Sequence, residues 1–124
     1  MTEPLALVVY EKLLPGTQLV NRLQDLKYRV KAVTDASALI EHARQDKPLI
    51  ILADVFSSRG DICQVITRLR KDRDAQHIPV IAFAADESAD AQKAVRDAGA
   101  TLVVSDSAIL NHLPQFLEQA LQVE

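Results

Sequence analysis

The feature that most constrains this chain is an alternation of short, nearly unbroken apolar runs with longer segments of helical periodicity. Four runs read as buried parallel strands: Leu5 to Tyr10, Pro48 to Asp54, Ile78 to Ala84, and Ala100 to Val104. Continuous hydrophobicity is expected where helices cover both faces of a sheet. A fifth segment, Tyr28 to Val33, alternates apolar and polar residues, as a strand at the sheet edge would. Between the strands, apolar residues recur at helical spacing over Gly16 to Lys27 (Leu19, Leu23, Leu26), Ala36 to Gln45 (Ala38, Leu39, Ala43) and Asp61 to Lys71 (Ile62, Val65, Ile66, Leu69). A fourth helix is Ala-rich, with Ala89, Ala91, Ala94, Val95 and Ala98. A last one carries Leu113, Phe116, Leu117, Ala120 and Leu121. Five strand-helix repeats predict a doubly wound, three-layer α/β domain occupying residues 1–124.

Local punctuation sets the boundaries. Asp35 is placed to cap the second helix, and Ser88 or Asp86 the fourth. Gly99 closes the fourth helix where a left-handed residue is wanted. Pro114 lies inside the spacing of the last helix, and proline is tolerated only in a first turn. The expected start is therefore Asn111 as cap, leaving Asp106 to Leu110 as an irregular loop or single turn.

With 124 residues the chain can bury a core without metals or disulfides, and aromatic residues at 4% make that core aliphatic. A net charge of -3, with no long basic run beyond Arg68 to Arg73, argues against nucleic acid as a direct partner. The single Cys63 cannot form an internal disulfide, and it falls beside the apolar stripe of the third helix as a spare core-edge residue. No stretch approaches the ~20 apolar residues of a membrane helix, and the N-terminus has no basic region followed by a long apolar one. A cytoplasmic location, with no membrane contact, is the expectation. His42, His77 and His112 show no ligand spacing. Arg68, Arg70, Lys71 and Arg73 at the end of the third helix suit its negative carbonyl end and read as a solvated group.

Open parallel sheets gather ligands beyond the carboxyl ends of their strands, at the switch point of the winding. The residues there are Tyr10 and Glu11, Asp54, Ala84 and Ala85, and Ser105 and Asp106. With Leu7-Val8-Val9-Tyr10-Glu11, Lys47 through Asp54, Ile78 through Ala85 and Ala98-Gly99-Ala100 in nearly fixed spacing, the chain resembles the receiver domain of bacterial response regulators over its whole length. The resemblance implies a five-stranded parallel sheet of order 2-1-3-4-5 and makes Asp54 the position that accepts a phosphoryl group from a histidine kinase. It implies Mg²⁺ held by Asp54 and acids after the first strand, of which only Glu11 is present because Tyr10 fills the other place. It also implies protein partners, a kinase, an output domain or another signalling protein, met through the fourth helix, fifth strand and fifth helix.

The remaining matched positions depart from the family pattern. Ala84 stands where a Thr or Ser hydroxyl holds a phosphoryl oxygen, Val103 where an aromatic takes part in the switch, and Asp106 where a lysine pairs with the phosphoryl group. An anion in place of a cation about 4 Å from a phosphoryl group reverses an interaction of roughly 4 kcal/mol at an effective dielectric near 20. The expectation is an atypical receiver domain in phosphorelay signalling, with Mg²⁺ binding and phosphorylation at Asp54 weak or absent. It works mainly by protein contact and is not an enzyme. Arg59 and Lys12 flank the site as conceivable surrogates for the lysine. One rival is a working phosphoacceptor using Asp54 with Mg²⁺. The other is a small-ligand or nucleotide-binding domain, although Glu11-Lys12-Leu13-Leu14-Pro15-Gly16 matches no glycine-rich phosphate loop.

Overall fold

A computed structural model describes residues 4–9, 13–33, 39–54, 62–73, 75–84 and 89–122. The strands are β1 (Leu5–Val9), β2 (Arg29–Val33), β3 (Ile50–Asp54), β4 (Val80–Ala84) and β5 (Leu102–Ser105). The helices are α1 (Leu13–Asp25), α2 (Leu39–Asp46), α3 (Ile62–Lys71), α4 (Ala89–Ala98), α5 (Asp106–Asn111) and α6 (Leu113–Gln122). All strand pairs are parallel and the sheet order is β2-β1-β3-β4-β5. The expected doubly wound sheet is thus present, with the alternating segment β2 at one edge.

The near-continuous apolar runs have a direct physical cause. Successive side chains of a strand point to opposite faces, and here each face has its own helical cover. Leu7, Val9, Ile51, Ala53, Val80 and Ala82 pack with Leu39 and Ala43 of α2, Ile66 and Leu69 of α3, and Val95 of α4. Ala6, Val8, Ile50, Leu52, Ile81 and Phe83 pack with Leu19 and Leu23 of α1, Ile109 of α5, and Leu113 and Leu117 of α6. Every one of these strand residues is fully buried. Burial of a Leu, Ile or Phe side chain contributes roughly 1.5–3 kcal/mol before the cost of ordering it, so the three central strands anchor the domain.

Two boundaries differ from the sequence expectation. Helix α1 starts at Leu13, so Pro15 falls in its first turn, where a missing N–H costs nothing. The stretch expected as a loop, Asp106 to Leu110, is helix α5. Ser105 has extended backbone, and its Oγ accepts a hydrogen bond from Ala108 N at 3.1 Å, which starts the helix. Asn111 is not a cap; it ends α5. The backbone turns at His112 (φ -126°), whose carbonyl accepts from Phe116 N at 3.1 Å as α6 begins, and Pro114 sits in that first turn as required. The proposed caps Asp35, Asp86 and Ser88 lie outside the described residues.

Helices α1 and α4 end in the same left-handed motif. Tyr28 N donates to Leu23 O and Lys27 N to Gln24 O; Ala100 N donates to Val95 O and Gly99 N to Arg96 O. The residue required to take positive φ is Lys27 (71°) in one case and Gly99 (123°) in the other. Only the second is glycine, and Gly99 has a further reason. A Cβ there would lie 2.8 Å from Arg70 Cγ.

Arg70 departs from its sequence reading as one of four solvated cations. It lies on α3 four residues after the buried Ile66, hence at the edge of the core-facing side, and it is half-buried. Its Nε donates to Gly99 O at 2.8 Å, and one terminal nitrogen donates to Gln76 O at 2.9 Å and Ile78 O at 2.8 Å. The other reaches Thr101 Oγ1 at 3.2 Å, which also accepts from Val80 N. One guanidinium thereby ties the end of α3 to the turns that enter β4 and β5. Burial pushes its pKa below the usual arginine value.

Lys27→Gly is expected to raise stability by about 1 kcal/mol in urea unfolding by relieving a left-handed lysine, whereas Gly99→Ala is expected to lower it by at least ~1 kcal/mol. Arg70→Ala is expected to cost about 2–3 kcal/mol by leaving carbonyls unpaired, and Arg70→Lys to recover little of it because an ammonium lacks the planar fork. Denaturation midpoints measured side by side check all four variants.

Candidate functional site

The strands run parallel, so their carboxyl ends share one edge of the sheet. Register fixes what meets there. Val9 is opposite Ala53, Asp54 is opposite Phe83, and Ala84 is opposite Ser105. Asp54 is the last residue of the middle strand, and Ala84 extends one position beyond its partner on the next strand. With neighbouring strands about 4.8 Å apart, Asp54 and Ala84 are adjacent along this edge, and Ser105 lies roughly two strand spacings from Asp54. The winding reverses between β1 and β3, since β1 has β2 on one side and β3 on the other. Asp54 therefore ends a strand at the switch point, where open α/β sheets hold ligands.

Of the strand-end and family positions singled out in the sequence, Asp54, Ala84, Val103, Ser105 and Asp106 have a described place. Asp54 and Ala84 end their strands. Val103 lies inside β5, half-buried and opposite Ala82, and packs against the cluster under α2, α3 and α4. Asp106 is the first residue of α5, directly after the capping Ser105, so it is a helix-start residue and not part of an irregular turn. An acidic residue at a helix N-terminus complements the helix dipole. Tyr10, Glu11, Lys12 and Arg59 lie outside the described residues, as do Ala85 and the segment from Val55 to Asp61.

The chemistry of this edge follows from those identities. Alanine offers no hydroxyl donor, and valine offers no ring. Asp54 and Glu11 are hard oxygen donors of the kind Mg²⁺ takes, but two carboxylates leave most of an octahedral shell to water. Among the described residues, no three or more His, Cys, Asp or Glu side chains are grouped to hold a metal.

Two ion pairs outside the crevice tie helix α2 to its neighbours. Lys31 Nζ of β2 donates to Asp46 Oδ2 of α2 at 2.8 Å, and His42 Nδ1 is 3.7 Å from the same oxygen. The hydrogen bond from Lys31 holds the Asp46 carboxyl below its usual range. A second pair joins Arg44 of α2 to the buried Asp72 just past α3. Cys63 is half-buried on α3 against the core.

No family model matches the chain, and no curated protein matches it in sequence. Solved structures do. A protein assigned as a response regulator from Chloroflexus aurantiacus superposes with a TM-score of 0.89 at 18% identity, over 96% of this chain and 98% of the other. The signal receiver domain of a modulated diguanylate cyclase from Desulfovibrio desulfuricans gives 0.80 at 19% identity, over 96% and 94%. The chain has the receiver-domain fold. A third match, the BeF3-activated N-terminal receiver domain of RstA from Klebsiella pneumoniae, gives 0.82 at 17% identity, over 95% and 98%. At these identities the backbone is shared and most side chains are not, so the chemistry has to be argued from this chain's own residues. No helix among the described residues is long and apolar enough to cross a membrane.

For Asp46, a depressed folded-state pKa means stabilisation that is present above the unfolded-state value and lost as pH falls through the folded one. Lys31→Met is expected to lower the urea midpoint slightly at neutral pH and to leave it unchanged in acid below that window; parallel titrations at the two pH values check it.

Proposed function

We propose that this chain is a receiver domain of two-component signalling that works mainly through protein-protein contact, with Asp54 in the phosphoacceptor position and poorly equipped for phosphorylation. The observation that carries the reading is the placement of Asp54 at the end of the middle strand of a 2-1-3-4-5 sheet, flanked by Ala84 at the end of β4. A carboxylate attacking a phosphoryl group depends on positioned donors and cations, because phosphoryl transfer is catalysed almost entirely by positioning and charge neutralisation. Ala84 removes a hydroxyl donor, Asp106 brings a negative charge where a positive one is wanted, and Tyr10 removes a metal-binding carboxylate. Mg²⁺, where bound, would be held by Asp54 and Glu11 and would neutralise charge on the incoming phosphoryl group.

The domain occupies residues 1–124 and acts in the cytoplasm on protein partners: a histidine kinase, an output domain or another signalling protein. Contact through α4, β5 and the last helix, α6, suits the small side chains of α4, which let a partner helix approach closely. The negative net charge disfavours direct nucleic-acid contact. Val103 lacks the ring through which a hydroxyl at position 84 would signal to that surface, so phosphorylation and partner binding are expected to be uncoupled.

Incubation with Mg²⁺ and acetyl phosphate, followed by intact-mass analysis, tests this reading against the rival of a working phosphoacceptor. The expected result is slow, substoichiometric phosphorylation that Asp54→Asn abolishes, and an acceleration of at least about tenfold in the Ala84→Thr, Asp106→Lys double variant, since each ~1.4 kcal/mol of barrier is tenfold. Rapid stoichiometric phosphorylation of the natural sequence would overturn it.

A further inference from the structure

The end of the sheet opposite Asp54 carries a second surface. Helices α2 and α3 end there, and a cleft of about 300 Å³ opens between them, lined by Ile40, Arg44, Arg68, Lys71 and Asp72. Asp72 is buried, and its carboxylate receives both Nε and a terminal nitrogen of Arg44, so that acid is neutralised in place. Arg68 and Lys71 are exposed, and neither has a hydrogen-bond or ion-pair partner among the described residues. Three cations against one carboxylate leave the cleft positive on a chain whose net charge is -3. Compensation of the α3 dipole explains cations in its last turn. Arg44 answers the dipole of α2 in the same way, and the packing of the two helix ends gathers all three cations over a common cleft.

Arg68 is also the shared wall of an adjoining shallow depression along α3, lined by Cys63, Gln64 and Thr67. The Thr67 hydroxyl is already committed to Cys63 O at 2.9 Å, so that floor presents mainly its apolar atoms. The surface as a whole is an apolar shelf leading into a positive cleft.

We propose that this α2–α3 surface is a docking groove for an acidic segment of a partner protein. The segment lays an apolar side chain over Cys63 and Thr67 and places carboxylates between Arg68 and Lys71. The apolar shelf suits a peptide better than a phosphate backbone, and two cations without a partner among the described residues are too few for a nucleic-acid track. The cationic cleft lies at the amino-terminal end of the strands, away from Asp54, and the apolar shelf runs back along α3 toward its first residues.

The test is an NMR titration of the ¹⁵N-labelled full chain with a short synthetic peptide of leucine and glutamate residues. Shifts are expected at the amides of residues 63–71 and at Arg44, with affinity that falls as salt rises. Arg68→Glu with Lys71→Glu is expected to weaken binding about tenfold, Arg68→Gln with Lys71→Gln to weaken it less, and Arg22→Glu, exposed on α1 across the sheet, to leave it unchanged. The proposal is overturned by an absence of shifts at about 1 mM peptide, by shifts centred elsewhere, by equal binding of a leucine-lysine peptide, or by tighter competition from a single-stranded oligonucleotide.

Discussion

Everything in this domain depends on the sheet being buried from both sides. The inner strands β1, β3 and β4 alternate their side chains between two cores, one under α2, α3 and α4 and the other under α1, α5 and α6. A strand sealed on both faces cannot slip by one residue without exchanging two packed sets of side chains. Register is therefore rigid. The strand ends inherit that rigidity, and the carboxyl edge places Asp54, Ala84 and Ser105 at fixed relative positions.

The periphery is held differently. At the opposite edge, the chain must turn from α3 into β4 and from α4 into β5, and carbonyls in both turns accept from one side chain. Arg70 satisfies three of those carbonyls and a threonine hydroxyl with one side chain. Its approach requires a residue without a Cβ at position 99. The helix stop at Gly99 and the arginine are thus one device. A polar clamp of this kind gives geometry that an aliphatic core with few aromatics cannot impose at its margins.

The two ends of the sheet differ in chemistry. The carboxyl edge ends its two central strands in Asp54 and Ala84, a carboxylate beside a residue with no polar side chain. The outer surfaces of the domain are set by helix packing. The short α5, the turn at His112 and the separate α6 alter the fifth-helix side of the domain. On the other side, Arg44 and Asp72 bring the ends of α2 and α3 together across a cleft.

The sequence by itself determined the strand-helix alternation, the edge place of β2, the positive-φ stop at Gly99 and the arrival of Asp54 at a strand exit. Each of these follows from local chemistry: a two-residue or 3.6-residue period, a residue without a Cβ, a carboxylate after an apolar run. Pro114 correctly forced a helix start nearby, but local spacing could not show that Ser105 would cap an earlier helix, because α5 exists by packing Ile109 onto Phe83 and its neighbours. Nor could composition separate Arg70 from Arg68 and Lys71. Its position four residues after Ile66 was the only local sign, and three of its four partners are carbonyls that look alike in any sequence. Only the tertiary fold brings residues 70, 76, 78, 99 and 101 within hydrogen-bond reach, since such contacts join segments that the crossover connections of a parallel sheet keep far apart in the chain.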